Sequence, residues 1–219
     1  MSARENFDVI VDPHRLREEV KKKYREVAVA PDADYHFHTG RPLAKRLGYD
    51  DIIVKLMPDA AVESFAGVGN PFSLRSLKPG ERVVDIGSGA GFDCFVAARQ
   101  VTQAGRVIGI DMTEEMLKKS RATARTMELE QVEFRKGLVE EIPVENDWAD
   151  TVIGNGVLNL CADKQRVFAE INRILKPGDA LQVADIANGK PVPEVASTNI
   201  DSGPHELPVA CRARAGAKS

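Results

Sequence analysis

The chain has 219 residues, 43% of them hydrophobic, which is enough for one core with flanking segments and too little for a second catalytic domain. Thirty Lys and Arg against 33 Asp and Glu give a formal net charge of -3 with no basic block, which excludes a nucleic-acid or lipid surface and points to a small-molecule partner. Cys94, Cys161 and Cys211 are widely spaced and form no CxxC pair, so neither a disulfide framework nor a metal site is expected, and a reducing cytoplasm fits best.

Residues 1–12 carry charges and no apolar stretch, and no later window reaches the length of a membrane span, so the chain reads as neither exported nor inserted. Pro13 to Val29 has the pattern of a charged amphipathic helix, and Pro42 to Leu56 that of a short helical pair broken at Gly48. These helices read equally well as a lid or as packing on a sheet face. From Arg82 short apolar runs alternate with longer helical patterns, the signature of βαβ units and a mainly parallel, doubly wound α/β sheet. The expected strands are Arg82 to Ile86, Arg106 to Ile110, Val132 to Arg135, Thr151 to Gly154 and Ala180 to Asp185, with helices at Phe92 to Thr102, Thr113 to Met127 and Lys164 to Leu175. Thr113 is the expected N-cap of the second helix, followed by acidic first-turn residues. Lys-Pro-Gly occurs at Lys78 and Lys176, each time just before a strand, and reads as turn chemistry. The organisation expected is a helical lid over residues 1–60, a ligand-binding domain over 61–190 and an irregular tail over 191–219.

Asp85-Ile-Gly-Ser-Gly-Ala-Gly91 follows an apolar strand and runs into a helix, so Gly87, Ser88, Gly89 and Gly91 form a loop that a ligand can approach closely. A dinucleotide loop would place a further glycine at Phe92, and the acidic Asp85 suits a cationic amino-acid ligand better than a pyrophosphate. Asp111 ends the next strand, where a carboxylate accepts ribose hydroxyls in a doubly wound fold. Loop and strand-end acid together specify a nucleotide-type cofactor site.

Phe65-Ala-Gly-Val-Gly-Asn-Pro71, Asp85 to Gly91, Gly109-Ile-Asp-Met-Thr113, Asn155-Gly-Val-Leu-Asn-Leu160 with Asp163-Lys164, and Arg173-Ile-Leu-Lys-Pro-Gly178 resemble the arsenite methyltransferase family. That family belongs to the class I methyltransferases, which have a Rossmann-like fold and use S-adenosylmethionine. The resemblance runs from about Arg41 to about Asp201. The glycine-loop part is shared by many methyltransferases, whereas the Gly-x-Gly-Asn-Pro and Asn-x-Val-x-Asn-Leu segments are much more particular. The resemblance implies that Asp85, Gly87 and Gly89 hold the methionine end, Asp111 and Met112 the ribose and adenine, Leu138 and Val139 the adenine edge, and Asn155 the sulfonium neighbourhood, with Ser88 and Gly91 as further cofactor-binding residues of the loop. The family holds arsenic on cysteine thiolates. At the matching positions this chain has Val68 and Gly156, so the cofactor carries over and arsenite activity does not. Class I sheets normally add two strands beyond the fifth, and these are expected to be missing here. After Asp201 the periodicity vanishes, and shifting the reading frame by two bases permits Ile-Ala-Gly-Gly-Leu-Pro-Arg-Ala-Gly-Trp, which resembles the family's continuation. A frameshifted tail is therefore expected, with the bare edge at Ala180 to Asp185 covered by homodimerisation, strand exchange or the tail itself.

Cys161, Cys94, Tyr24 and Trp148 read as buried packing residues, and Cys161 is not taken as a replacement ligand. His36 and His38 flank Phe37 without a visible acidic partner and read as a solvated loop, with a base or pocket wall as the alternative. Glu140 and Glu141 reach the adenine amino group or form a solvated turn. Three functions stay open: a small-molecule methyltransferase with no identified catalytic side chain, an S-adenosylmethionine-binding protein without catalysis, and an NAD-dependent oxidoreductase.

Overall fold

The computed structural model describes residues 13–30, 38–186 and 208–214. Helix α1 (Pro13–Val29) precedes three short helices, α2 (Gly40–Arg46), α3 (Asp51–Lys55) and α4 (Asp59–Val62). Then come β1 (Arg82–Ile86), α5 (Phe92–Val101), β2 (Arg106–Asp111), α6 (Glu114–Thr126), β3 (Val132–Lys136), β4 (Ala149–Asn155), α7 (Lys164–Ile174), β5 (Leu175–Ile186) and β6 (Pro208–Arg214). The sheet order is β3-β2-β1-β4-β5-β6, parallel throughout except for β6.

Both sheet faces are covered, because side chains alternate across a strand and both sets here are apolar. Val83, Val107 and Ile153 pack on one face against Phe95, Ala97 and Val101 of α5, with Ala61 and Val62 of α4. Val84, Ile108, Val152 and Leu181 pack on the other face against Val167, Ile171 and Ile174 of α7. The loops at the carboxyl ends of β1, β2 and β4 consequently gather at one edge of the two layers, beside the crossover where the order reverses between β1 and β4. Among the described residues no helix is long and apolar enough to cross a membrane.

Several sequence expectations need correction. Thr113 holds the N-cap position of α6 but makes no side-chain cap bond, so the acidic Glu114 and Glu115 alone complement that helix end. The second Lys-Pro-Gly lies inside β5 and not before it: pairing with β4 starts at Leu175, is interrupted by an irregularity, and resumes at Ala180. The segment read as an irregular tail, with its strands missing, contains β6, which pairs antiparallel along Ala180 to Ile186. An apolar strand edge carries unpaired amides and carbonyls, and β6 satisfies them from within the chain. Of the three covers expected for this edge, the described residues show the one supplied by the tail itself. His36 and residues 191–207 and 215–219 lie outside the described residues.

A buried polar knot ties the segment before β1 to the sheet. Gln182 on β5 is fully buried, donates through Nε2 to the carbonyls of Pro71 and Arg75 at 3.1 Å each, and accepts from Arg75 Nε at 3.1 Å. Arg75 also donates to both carboxylate oxygens of Glu81 and to Thr151 Oγ1. Gln182→Leu keeps the volume but strands these partners, and is expected to cost about 2–4 kcal/mol. Urea denaturation measures it, and a loss below about 1 kcal/mol would show that the knot contributes little.

Candidate cofactor site

The loops at the strand ends enclose one cavity, and α1 roofs it with Arg17, Val20 and Tyr24. Nine of the ten residues expected at a cofactor site line it: Asp85, Gly87, Ser88, Gly89, Asp111, Met112, Leu138, Val139 and Asn155. Gly91 does not. Its φ of +92° starts α5, and a Cβ there would meet Phe134 Cζ at 2.7 Å and Phe95 Cζ at 2.9 Å. Gly91 is thus needed for the aromatic packing beneath the loop, whereas a Cβ on Gly89, at φ +53°, meets nothing within 4 Å.

Asp111 fixes the loop to the end of β2. Its Oδ2 accepts from the Gly89 amide at 2.9 Å and its Oδ1 from the Thr113 amide at 2.7 Å. Burial raises its pKa, and these hydrogen bonds oppose the rise. Asp85 is 2% exposed and accepts from Cys94 Sγ at 3.2 Å. Burial first and the nearby Asp93 second push its carboxyl well above the usual range. Cys94 is accordingly buried, as expected, but it also holds Asp85. Ser88 Oγ is buried in the cavity wall without a hydrogen-bond partner among the described residues.

The two motifs most particular to the resemblance meet in space. Asn155 Oδ1 accepts from the amides of Val68 at 2.8 Å and Gly69 at 3.2 Å, and Asn155 Nδ2 donates to Gly69 O at 2.9 Å. Glycine is needed on both sides of residue 68, since a Cβ on Gly67 would collide with the Asn155 amide and one on Gly69 would sit 2.6 Å from Ala184 Cβ. Asn155 therefore spends its amide on the 67–69 loop, on Tyr49 and on Asp93, and serves the cavity by shaping its wall.

Asp93 and Arg17 line the cavity and Tyr49 is bonded to Asp93, and none of the three carried a signal that sequence reading used. Asp93, in the first turn of α5, is 6% exposed and accepts from Tyr49 Oη at 2.7 Å and Asn155 Nδ2 at 3.0 Å. Burial lifts it to about 6 against those two bonds. Tyr49 packs edge-on among Phe65, Phe72 and Phe92, and burial, then Asp93, raises its phenol well above the usual value. Tyr24, read as packing, does pack near Ala90 and Met116, yet its phenol also lines the cavity, pushed to about 12 by burial and then by Asp111 and Asp185. Arg17 bridges from the roof to Glu140 at 3.3 Å. Glu140 itself is buried and lines the cavity, while Glu141 is exposed. His38 is exposed, and Trp148 packs beside Arg82. Cys161 lines the cavity with its thiol donating to Val157 O at 3.1 Å, pushed to about 12 by burial and then by Glu140.

A parallel sheet in this order, a glycine loop after β1 and an acidic end to β2 define a Rossmann-like fold of the class I methyltransferase type. The chain belongs to the methyltransferase-domain family, whose model, described as "Methyltransferase domain", matches residues 77–211. An arsenite methyltransferase of Halobacterium salinarum is 38% identical over 205 residues, covering 87% of this chain and 52% of that protein. The chain thus spans about half the length of that relative. Among solved structures, the arsenic(III) S-adenosylmethionine methyltransferase of Chlamydomonas reinhardtii is similar at a TM-score of 0.56 and 28% identity, over 73% of this chain and 53% of that one. The cyclase SpnF, at a TM-score of 0.57 and 22% identity over 80% of this chain and 63% of its own, shares the fold alone.

The two loop glycines should separate in a stability measurement. Gly91→Ala adds overpacking to backbone strain and is expected to cost about 2–4 kcal/mol, against about 1 kcal/mol for Gly89→Ala, which is strained only. Equal urea midpoints for the two variants would contradict the packing account of Gly91.

Proposed function

We propose that this chain binds S-adenosylmethionine in the cavity under α1 and transfers its methyl group to a small molecule. One observation carries the reading: the Gly89 amide and the Asp111 carboxylate meet at 2.9 Å on the wall of a cavity that also holds the buried acids Asp85 and Asp93. Such a site suits a ligand with a cationic amino-acid end and a ribose. Ser88 Oγ, buried and unpartnered, fits the same ligand as a further polar contact. Asp85 and Ser88 would hold the amino-acid end, Asp111 the ribose, and Met112, Leu138 and Val139 the adenine. The cofactor supplies a methyl group already activated on sulfonium sulfur. What remains for the protein is to exclude water and hold the acceptor in line, which is work for the roof and the wall at Ala66 and Gly67 and requires no general base. Membership of the methyltransferase family replaces the oxidoreductase reading.

Arsenite is not the acceptor in this reading. The resemblance implies thiolate ligands at positions 68 and 156, where this chain has a valine and a glycine, and Cys161 supplies at most one buried, protonated thiol.

Two measurements follow. Asp111→Ala is expected to weaken S-adenosylmethionine binding ten- to a hundred-fold, or about 1.5–3 kcal/mol, by titration calorimetry. Unchanged affinity would place the ribose elsewhere. Incubation with arsenite, thiols and methyl-labelled cofactor is expected to leave arsenic unlabelled, and labelled methylarsenic would overturn the exclusion.

A further inference from the structure

Asp93 belongs to two systems at once. It lines the cavity together with Asp85, whose carboxyl its charge helps to push up. Behind the wall it accepts from Tyr49 and Asn155, the two side chains that reach the 67–69 loop. Asn155 holds the amides of Val68 and Gly69, and Tyr49 Oη lies 3.1 Å from Gly69 O while accepting from Asn155 Nδ2 at 3.0 Å. A hydrogen-bonded path therefore runs from Asp93 to the Val68 and Gly69 backbone, next to Gly67 of the cavity wall.

We propose that Asp93 is a positioning residue that couples cation occupancy of the acid pair to the docking of the 67–69 loop. The inference rests on the cofactor reading for the identity of the cation. Its chemistry is the count of acceptors. An ionised Asp93 accepts from both Tyr49 and Asn155, and charge-assisted bonds of this type are roughly twice as strong as neutral ones. A protonated Asp93 donates from one oxygen to Tyr49 Oη, which turns its own hydrogen to Gly69 O, and Asn155 Nδ2 keeps only the weaker bond to a neutral acid. Two buried carboxylates without a cation resist joint ionisation, and an ammonium group beside them restores it. The cation thus selects the form of Asp93 that clamps Asn155, and Asn155 in turn fixes the loop. The other titratable groups around Asp93 do not compete: burial keeps Tyr49 and Cys94 neutral, and Asp111 is engaged by the Gly89 and Thr113 amides. Asp85 is the remaining partner in this equilibrium.

The test follows the Val68 and Gly69 amides by hydrogen exchange in NMR, with S-adenosylhomocysteine as the probe. In the unaltered protein at pH 5, where Asp93 without the probe is largely protonated, binding is expected to raise protection of these two amides about tenfold. Asp93→Asn, which keeps the shape but cannot accept twice, is expected to bind the probe with a rise below about twofold. Tyr49→Phe keeps the ring in its aromatic cluster, removes one donor, and is expected to fall between the two. A purely structural role would lower protection equally with and without the probe. The second measurement needs no variant: without the probe, protection corrected for intrinsic exchange should fall as pH drops through about 6, where Asp93 takes up its proton, and the bound protein should resist that fall. Failure of the probe to bind the unaltered protein would refute the cofactor reading, and the pH series on the free protein would still judge the link. Binding without a rise in protection, a full rise in Asp93→Asn, or a flat pH series would each overturn the coupling.

Discussion

Three carboxylates, Asp85, Asp93 and Asp111, converge on one apolar cavity, and the surrounding structure is arranged to keep them there. Burying a carboxylate costs several kcal/mol unless hydrogen bonds or a counter-charge replace its water. Each acid is met differently. Among the described residues Asp111 takes backbone amides, Asp93 takes a phenol and a carboxamide, and Asp85 has only a thiol, the weakest donor of the set. Asp93 also gains from its place in the first turn of α5, where the helix dipole favours negative charge. The acid left least satisfied is the one at the end of β1, beside the glycine loop. A cationic ligand is the natural completion of such a site.

The parts legible in the sequence were those whose cause is local. Short apolar runs between turn residues marked all five parallel strands, and acids at strand ends marked Asp85 and Asp111. Asp93 stayed hidden because an acid at the start of a helix has a sufficient local explanation in the dipole. Tyr49 lies 44 residues from the carboxylate it binds, and no period or motif signals such a contact. Gly91 was legible as a loop glycine but not as a packing requirement, because the rings it admits come from α5 and β3. Local pattern also failed at β6, whose mixture of Pro, Ala and Arg carries little strand preference. There the open edge of β5 supplies what propensity does not.

The two motifs that made the resemblance particular turn out to be halves of one device. Gly-Val-Gly closes around Asn155, and neither half has a reason to keep its residues without the other. The nucleotide loop is different in kind, since its hydrogen bonds run to a neighbouring strand end and it works the same way whatever wall stands opposite.

The clamp around Asn155 has an evolutionary consequence. It grips residue 68 by its backbone amide alone, and a Cβ at residue 156 would contact the Val68 side chain at 3.3 Å, so the two side chains at these positions meet each other and not the clamp. Residue 156 is constrained by its own backbone instead, since its φ of +71° strains any side chain. The wall opposite the clamp is thus set by two different means, a side chain at residue 68 that no hydrogen bond holds and a backbone at residue 156 that admits almost none, so substitution at 68 is the cheaper of the two for the fold.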